Sequence, residues 1–203
     1  MDFLALFALS AILCCTVSCA SVRSQESKSQ LTGGLRISKG AGPITVENSP
    51  DGAVLDTGAG RIHVKSARRC VGAYTGAGHI LIDAVDGCVR AATGLGTVSV
   101  TMVGNPADGQ RDVKIIGSMG DVTLVVPEGL GMDLDLKLAY TDNAKKEFRI
   151  VSDFSLNLRE TDAWSSAEGT PRKYIYGTGQ IGTGRNRITI QNINGNIYLK
   201  RGQ

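Results

Sequence analysis

From residue 31 onward, apolar side chains in this chain recur at every second position in short runs, the period of a half-buried strand and not the three-to-four spacing of a helix. Ile44 and Val46, Ile62 and Val64, Ile80 and Ile82, and Val98 and Val100 form four such pairs, each eighteen residues after the one before. A second set keeps the same interval half a turn away: Leu35 and Ile37, Ala53 and Leu55, Val71 and Ala73, Val89 and Ala91. Each pair puts two apolar side chains on one strand face. Between the sets the chain nearly repeats itself, as T-G-A-G-R-I-H-V from Thr57, T-G-A-G-H-I-L-I from Thr75 and T-G-L-G-T-V-S-V from Thr93. Two short strands and paired glycines per fixed period predict an all-β, single-stranded parallel β-helix (β-solenoid) with about eighteen residues per turn.

The frame predicts where the period will strain. Gly96 to Gly120 spans twenty-four residues, and the six extra fall in the polar, turn-rich stretch Gly104–Gln110, which reads as a loop bulging from one corner. Val113 and Ile115 restore the frame, followed by G-D-V-T-L-V-V-P from Gly120. Met132–Leu138 still alternates, and so does the run Phe154, Leu156, Leu158, but residues 139–172 are irregular. Near the C-terminus, Ile188–Leu199 matches Ile80–Ala91 position for position, which predicts a last turn built on the template of the third.

Composition agrees with a narrow coil. The 203 residues include 26 glycines and 5% aromatics, suited to tight corners and a thin aliphatic interior, and the unbroken repeat argues for one elongated unit over 31–203. Net charge is +3 with the basic residues scattered, so no nucleic-acid partner is expected. Ahead of the repeat, Phe3–Val17 is almost wholly apolar yet shorter than the roughly 20 residues of a membrane span. It reads as an export signal, and T-V-S-C-A at Thr16–Ala20 resembles the bacterial lipoprotein processing box, with Cys19 to carry lipid. Ser18-Cys19-Ala20 also reads as an ordinary cleavage site, which would make the protein secreted instead. Residues 1–19 are therefore taken as the signal and processing segment, and the Ser-rich residues 20–30 as a polar tether.

Two stretches carry a resemblance to a family: G-D-V-T-L-V-V-P-E-G, Gly120–Gly129, and G-T-G-R-N-R-I-T-I-Q-N-I-N-G-N-I-Y-L-K-R-G, Gly182–Gly202. With them the region Leu31–Arg201 resembles the bacterial putative adhesin family, a β-strand repeat domain of unknown function. The resemblance implies a stacked parallel β-helix on an exported protein and carries over no catalytic residues.

Little in the sequence points to chemistry. Stacking sets each residue about 4.8 Å from its counterpart one turn on, which pairs Glu47, Lys65 and Asp83, Asp51 with Arg69, and Arg68 with Asp86. These pairings absorb most carboxylates that could serve as acid or base, so neither a carboxylate cluster nor a nucleophile with its base remains. His63 and His79 occupy different columns and suggest no metal site. No catalytic, metal or cofactor residues are assigned, and no enzymatic turnover is expected. Trp164, the single tryptophan, is either a hydrophobic plug over the coil's edge or an exposed recognition aromatic. Cys70 and Cys88 stand one turn apart, inside disulfide range, and an oxidising compartment would join them; two buried reduced thiols are the alternative. The functional expectation is an envelope protein, anchored in the membrane through its N-terminal lipid. It acts as an adhesin-like binder or scaffold toward a protein or glycan ligand. The alternative is a carbohydrate-active or lectin-like module working from residues 139–172.

Overall fold

Each short apolar pair becomes a strand, and successive strands alternate between two sheets. In the computed structural model, which describes residues 34–144, 147–167 and 169–202, the regular turns are β1 (Leu35–Lys39), β2 (Ile44–Ser49), β3 (Ala53–Ala59), β4 (Ile62–Arg68), β5 (Val71–Ala77), β6 (Ile80–Asp86), β7 (Val89–Leu95), β8 (Val98–Met102), β9 (Val113–Met119) and β10 (Val122–Val126). Then come β11 (Met132–Thr141), β12 (Ile150–Ser152), β13 (Asn157–Glu160), β14 (Arg172–Ile181), β15 (Asn186–Ile193) and β16 (Ile197–Arg201). The nine-stranded sheet runs β1-β3-β5-β7-β9-β15-β11-β14-β13 and the seven-stranded sheet β12-β16-β10-β8-β6-β4-β2. Among the described residues the named strands pair in parallel except where β14 runs antiparallel to β11 and β13, and one isolated antiparallel bridge joins Ser165 to Arg172.

The eighteen-residue period is the register itself. Ile44 lies beside Ile62, Ile62 beside Ile80 and Ile80 beside Val98, and the ladder continues through Val122 and Ile197 to Ile150, each 8% exposed or less. Opposite it, Ala53, Val71, Val89, Val113, Ile188 and Leu134 form a second buried ladder. The two sets meet in one aliphatic core. Residues 103–112 form the expected extra loop between β8 and β9, after which Val98 pairs with Val122 and Val89 with Val113.

The corners are held by the residues that announced them. A Cβ on Gly78 would sit 2.1 Å from the carbonyl oxygen of Gly60, so only glycine lets adjacent turns close to hydrogen-bonding distance there. That same carbonyl accepts a bond of 3.0 Å from Thr75 Oγ1, and Thr57 and Thr93 serve Gly42 and Gly78 alike. Thr57, Thr75 and Thr93 are buried, and the bonds explain why a hydroxyl is tolerated in an apolar column. A disulfide joins Cys70 to Cys88 just ahead of β5 and β7, with Cα atoms 4.4 Å apart. Closing this eighteen-residue loop stabilises the fold by about 3 kcal/mol in the chain-entropy model.

The last turn departs from expectation. β15 and β16 do not extend the stack but lie within it, β15 between β9 and β11, β16 between β10 and β12. Ile188 therefore belongs to the nine-stranded sheet, whereas Ile80, with which the sequence matched it, belongs to the seven-stranded one. Its true counterpart is Val113, and Ile197 pairs with Val122. The two halves of a turn carry the same apolar spacing, so a sequence match cannot tell a strand from its neighbour half a turn away. Polar side chains fix the inserted turn on both sides. Asn186 Oδ1 accepts from the Arg111 amide at 2.8 Å and its Nδ2 donates to the Gly131 carbonyl at 2.7 Å. Asn192 Nδ2 donates to Gly120 and Gly195, Asn194 Oδ1 accepts from the Thr141 amide, and Asn196 Oδ1 accepts from the Arg149 amide. Asn192 takes the place of the corner threonines, and the bare backbone of Gly117 beside it leaves the room: a Cβ there would lie 2.3 Å from Asn192 Oδ1.

Replacing Thr75 by valine keeps the shape but removes the donor to Gly60. The Thr75→Val protein is expected to lose about 1–3 kcal/mol in urea unfolding, while Thr75→Ser stays close to wild type. Equal stability of the two variants would show that the hydroxyl is idle.

Candidate functional site

Two surface features stand apart from the repeat, at opposite ends of β11. The first surrounds Trp164. Its ring is 46% exposed, meets Tyr140 edge-on at 5.7 Å between centroids and lies under Lys173 Nζ at 5.4 Å. The edge of the core is covered instead by Phe148, Phe154 and Leu156, which pack against it from residues 147–156. Gly177 and Gly179 on β14 make room for that cover, because Cβ atoms there would press on Leu158, Ile150 and Leu156 at 3.2–3.4 Å. Trp164 is thus a braced but accessible ring. Beside it Tyr140 Oη donates to Glu160 at 2.5 Å, and this bond, with burial second, pushes the tyrosine pKa up to about 12.

The second feature is a polar cleft of about 270 Å³ lined by Gln110, Asp112, Asp133, Gly184, Arg185 and Arg187. Its parts come from the extra loop, from the start of β11 and from the entry to β15. The loop is held by Arg111, only 2% exposed, whose guanidinium donates to the Val103 and Asn105 carbonyls and pairs with Asp86 at 2.5 Å. The flanking residues 110 and 112 are thereby fixed on the cleft side. Asp112 accepts from the Arg187 amide at 2.8 Å and from Gln110 Nε2 at 2.7 Å, so both its oxygens are engaged. Arg185 Nη1 donates to the Ala107 carbonyl and ties the β14–β15 turn to the same loop. Asp133 and Arg187 are register partners on adjacent strands, both exposed. Among the described residues neither the Asp133 carboxylate nor the Arg187 guanidinium has a hydrogen-bond or ion-pair partner.

The sequence paired its charges by column, and the structure keeps some of these pairs. Lys65 meets Glu47 at 2.8 Å, and this hydrogen bond raises the lysine pKa; Arg69 reaches Asp51 at 3.8 Å. Asp83 turns instead to His63 Nε2 at 2.7 Å, and Asp86, Arg68's register partner, turns to Arg111. His79 bonds to Thr97, the residue one turn on. The mixed-charge cleft joins three segments that no single period relates, so the repeat does not mark it. The polar run from Gly104 to Asp112, entering a strand directly, was its one visible sign. Cys19 and the whole segment 1–33 lie outside the described residues. No group of His, Cys, Asp and Glu suited to a metal ion occurs among the described residues.

No family model matches the chain, and no curated protein matches it. Among solved structures, the chain is similar to a putative cell adhesion protein from Clostridium sporogenes at 13% identity and a TM-score of 0.42, over 83% of this chain and 91% of that one.

The Tyr140 phenol gives a titration test. Because its folded pKa is raised, the bond to Glu160 contributes stability below the ordinary tyrosine pKa near 10 that is lost as pH climbs toward 12. In an ultraviolet titration Glu160→Gln is expected to move one of the five tyrosines down toward 10, and an unchanged curve would mean that the bond does not form in solution.

Proposed function

We propose that this chain is an exported, non-catalytic β-solenoid of the bacterial putative adhesin family, held to a membrane by lipid on Cys19 and displaying binding surfaces on its outer faces. The observation that carries this reading is the disulfide across neighbouring turns, since such bonds form and persist in oxidising compartments outside the cytosol. Register supports the solenoid part: strands that each stand beside their counterpart one period on give a rigid frame, on which a fixed loop and an exposed aromatic hold their positions. The adhesive part is supported by Trp164 and by the polar cleft, two accessible surfaces on the described residues that the core does not need. Turnover is disfavoured because glycoside hydrolysis calls for two working carboxylates, and of the pair in the cleft only Asp133 has free oxygens.

Fractionation tests the anchor. Wild-type protein is expected with the membranes and Cys19→Ser in the soluble fraction, the several acyl chains of a lipoprotein cysteine being enough for stable attachment. A mature N-terminus at Ser21 would replace anchoring with plain secretion. Purified protein is also expected to leave glycosidase, esterase and polysaccharide lyase substrates unchanged; turnover abolished by Asp133→Asn would make the protein an enzyme.

A further inference from the structure

The cleft holds a carboxylate and a guanidinium that stand side by side and satisfy nothing. Asp133 and Arg187 are register neighbours, their Cα atoms about 4.8 Å apart, and two opposite charges so placed on adjacent strands ordinarily pair. Here both remain open to solvent, while the groups behind them are held in place: Asp112 by Gln110 and the Arg187 amide, and the loop itself by buried Arg111, with Arg185 steadied by one bond from Nη1 to the Ala107 carbonyl that leaves its other donors available. The surroundings are thus fixed before any ligand arrives, which lowers the ordering cost of binding.

We propose that this cleft binds one uronic-acid residue of an acidic saccharide, with the sugar carboxylate on Arg187 and Arg185 and ring hydroxyls donating to Asp133. The inference rests on the reading of the chain as a surface-binding protein and names what one of its surfaces takes. Three observations select this chemistry. A volume of about 270 Å³ is below the roughly 300–1,000 Å³ of drug-sized sites and suits a single ring. No aromatic or aliphatic side chain lines the cleft, so neither an apolar side chain nor a neutral sugar that depends on ring stacking finds its main contact. The strands beneath, β9, β15 and β11, are all interior to the nine-stranded sheet, so an extended peptide cannot add to an edge there. What the cleft offers is charge-assisted hydrogen bonding, a cation for a carboxylate and an acceptor for hydroxyls, in one small space.

The test is calorimetric titration of the full exported protein with tri-galacturonate, with an uncharged trisaccharide of the same length and an acidic tripeptide as comparisons. Saturable binding of tri-galacturonate is expected, weakened about tenfold or more by Arg187→Gln and by Asp133→Asn, with the uncharged trisaccharide and the tripeptide at least about tenfold weaker. Both substitutions are on exposed side chains, and matching thermal melts confirm the fold. Arg90→Gln, on the same sheet face outside the cleft, is expected to bind like wild type and so separates site binding from general attraction. The proposal is overturned by absence of saturable tri-galacturonate binding, by equal binding in both cleft variants, or by equal or tighter binding of either comparison ligand. Failure here with intact membrane anchoring and binding to cells would remove the cleft's ligand and leave the broader reading standing. Cleft variants that lose the saccharide yet adhere like wild type would support the cleft and place adhesion on another surface.

Discussion

The close approach of one turn's backbone to the next is the constraint everything else obeys. At the corners, the carbonyl oxygens of Gly60, Gly78 and Gly96 lie within 2.4 Å of where side chains would begin on Gly78, Gly96 and Gly120, so the spacing of the stack is set where there is no side chain at all. From that spacing follow the parallel hydrogen-bond ladders, the identical depth of Ile44, Ile62 and Ile80 in the core, and the 4.4 Å between the Cα atoms of Cys70 and Cys88. The threonines beneath the corners complete the arrangement, giving the Gly42, Gly60 and Gly78 carbonyls a donor that an aliphatic column could not.

Where the chain obeys this constraint with one residue per column, its sequence can be read almost as a coordinate. The strand pairs from Leu35 to Val100 and the disulfide were legible for that reason, as was the loop after Met102, which lengthens one turn without breaking its neighbours. Legibility failed where spatial neighbours stop being sequence neighbours. Ile188–Leu199 was recognised as a turn but set on the wrong strands, since alternation reports that a residue faces inward and not which sheet it faces from. The cap built by β13 and β14 was equally hidden, because antiparallel pairing carries no fixed interval. Its glycines, Gly177 and Gly179, lie beneath Leu158 and Leu156, a contact that no repeat interval marks.

The cleft illustrates the same limit. Arg111 gave no signal as a buried cation, because its partners are two carbonyls of its own loop and an aspartate one turn back. Asp86 stands beside Arg68 in register but pairs with Arg111, whose guanidinium also satisfies two backbone oxygens of the loop. Surface charge in such a fold is therefore shared between neighbouring columns and the loops that leave them.

The placement of the final turn bears on how the chain can assemble. The strands from β1 to β10 can be laid down in the order of synthesis, each on a neighbour already present. β11 and β12 cannot join them directly, because the strands that stand between follow them in sequence, in residues 186–201. In a chain emerging N-terminus first, β11 and β12 thus have no partner in the earlier stack until residues 186–201 are free, and the join is closed by the segment richest in asparagine clamps. A product cut short before Asn186 therefore lacks both strands that join β9 to β11 and β10 to β12.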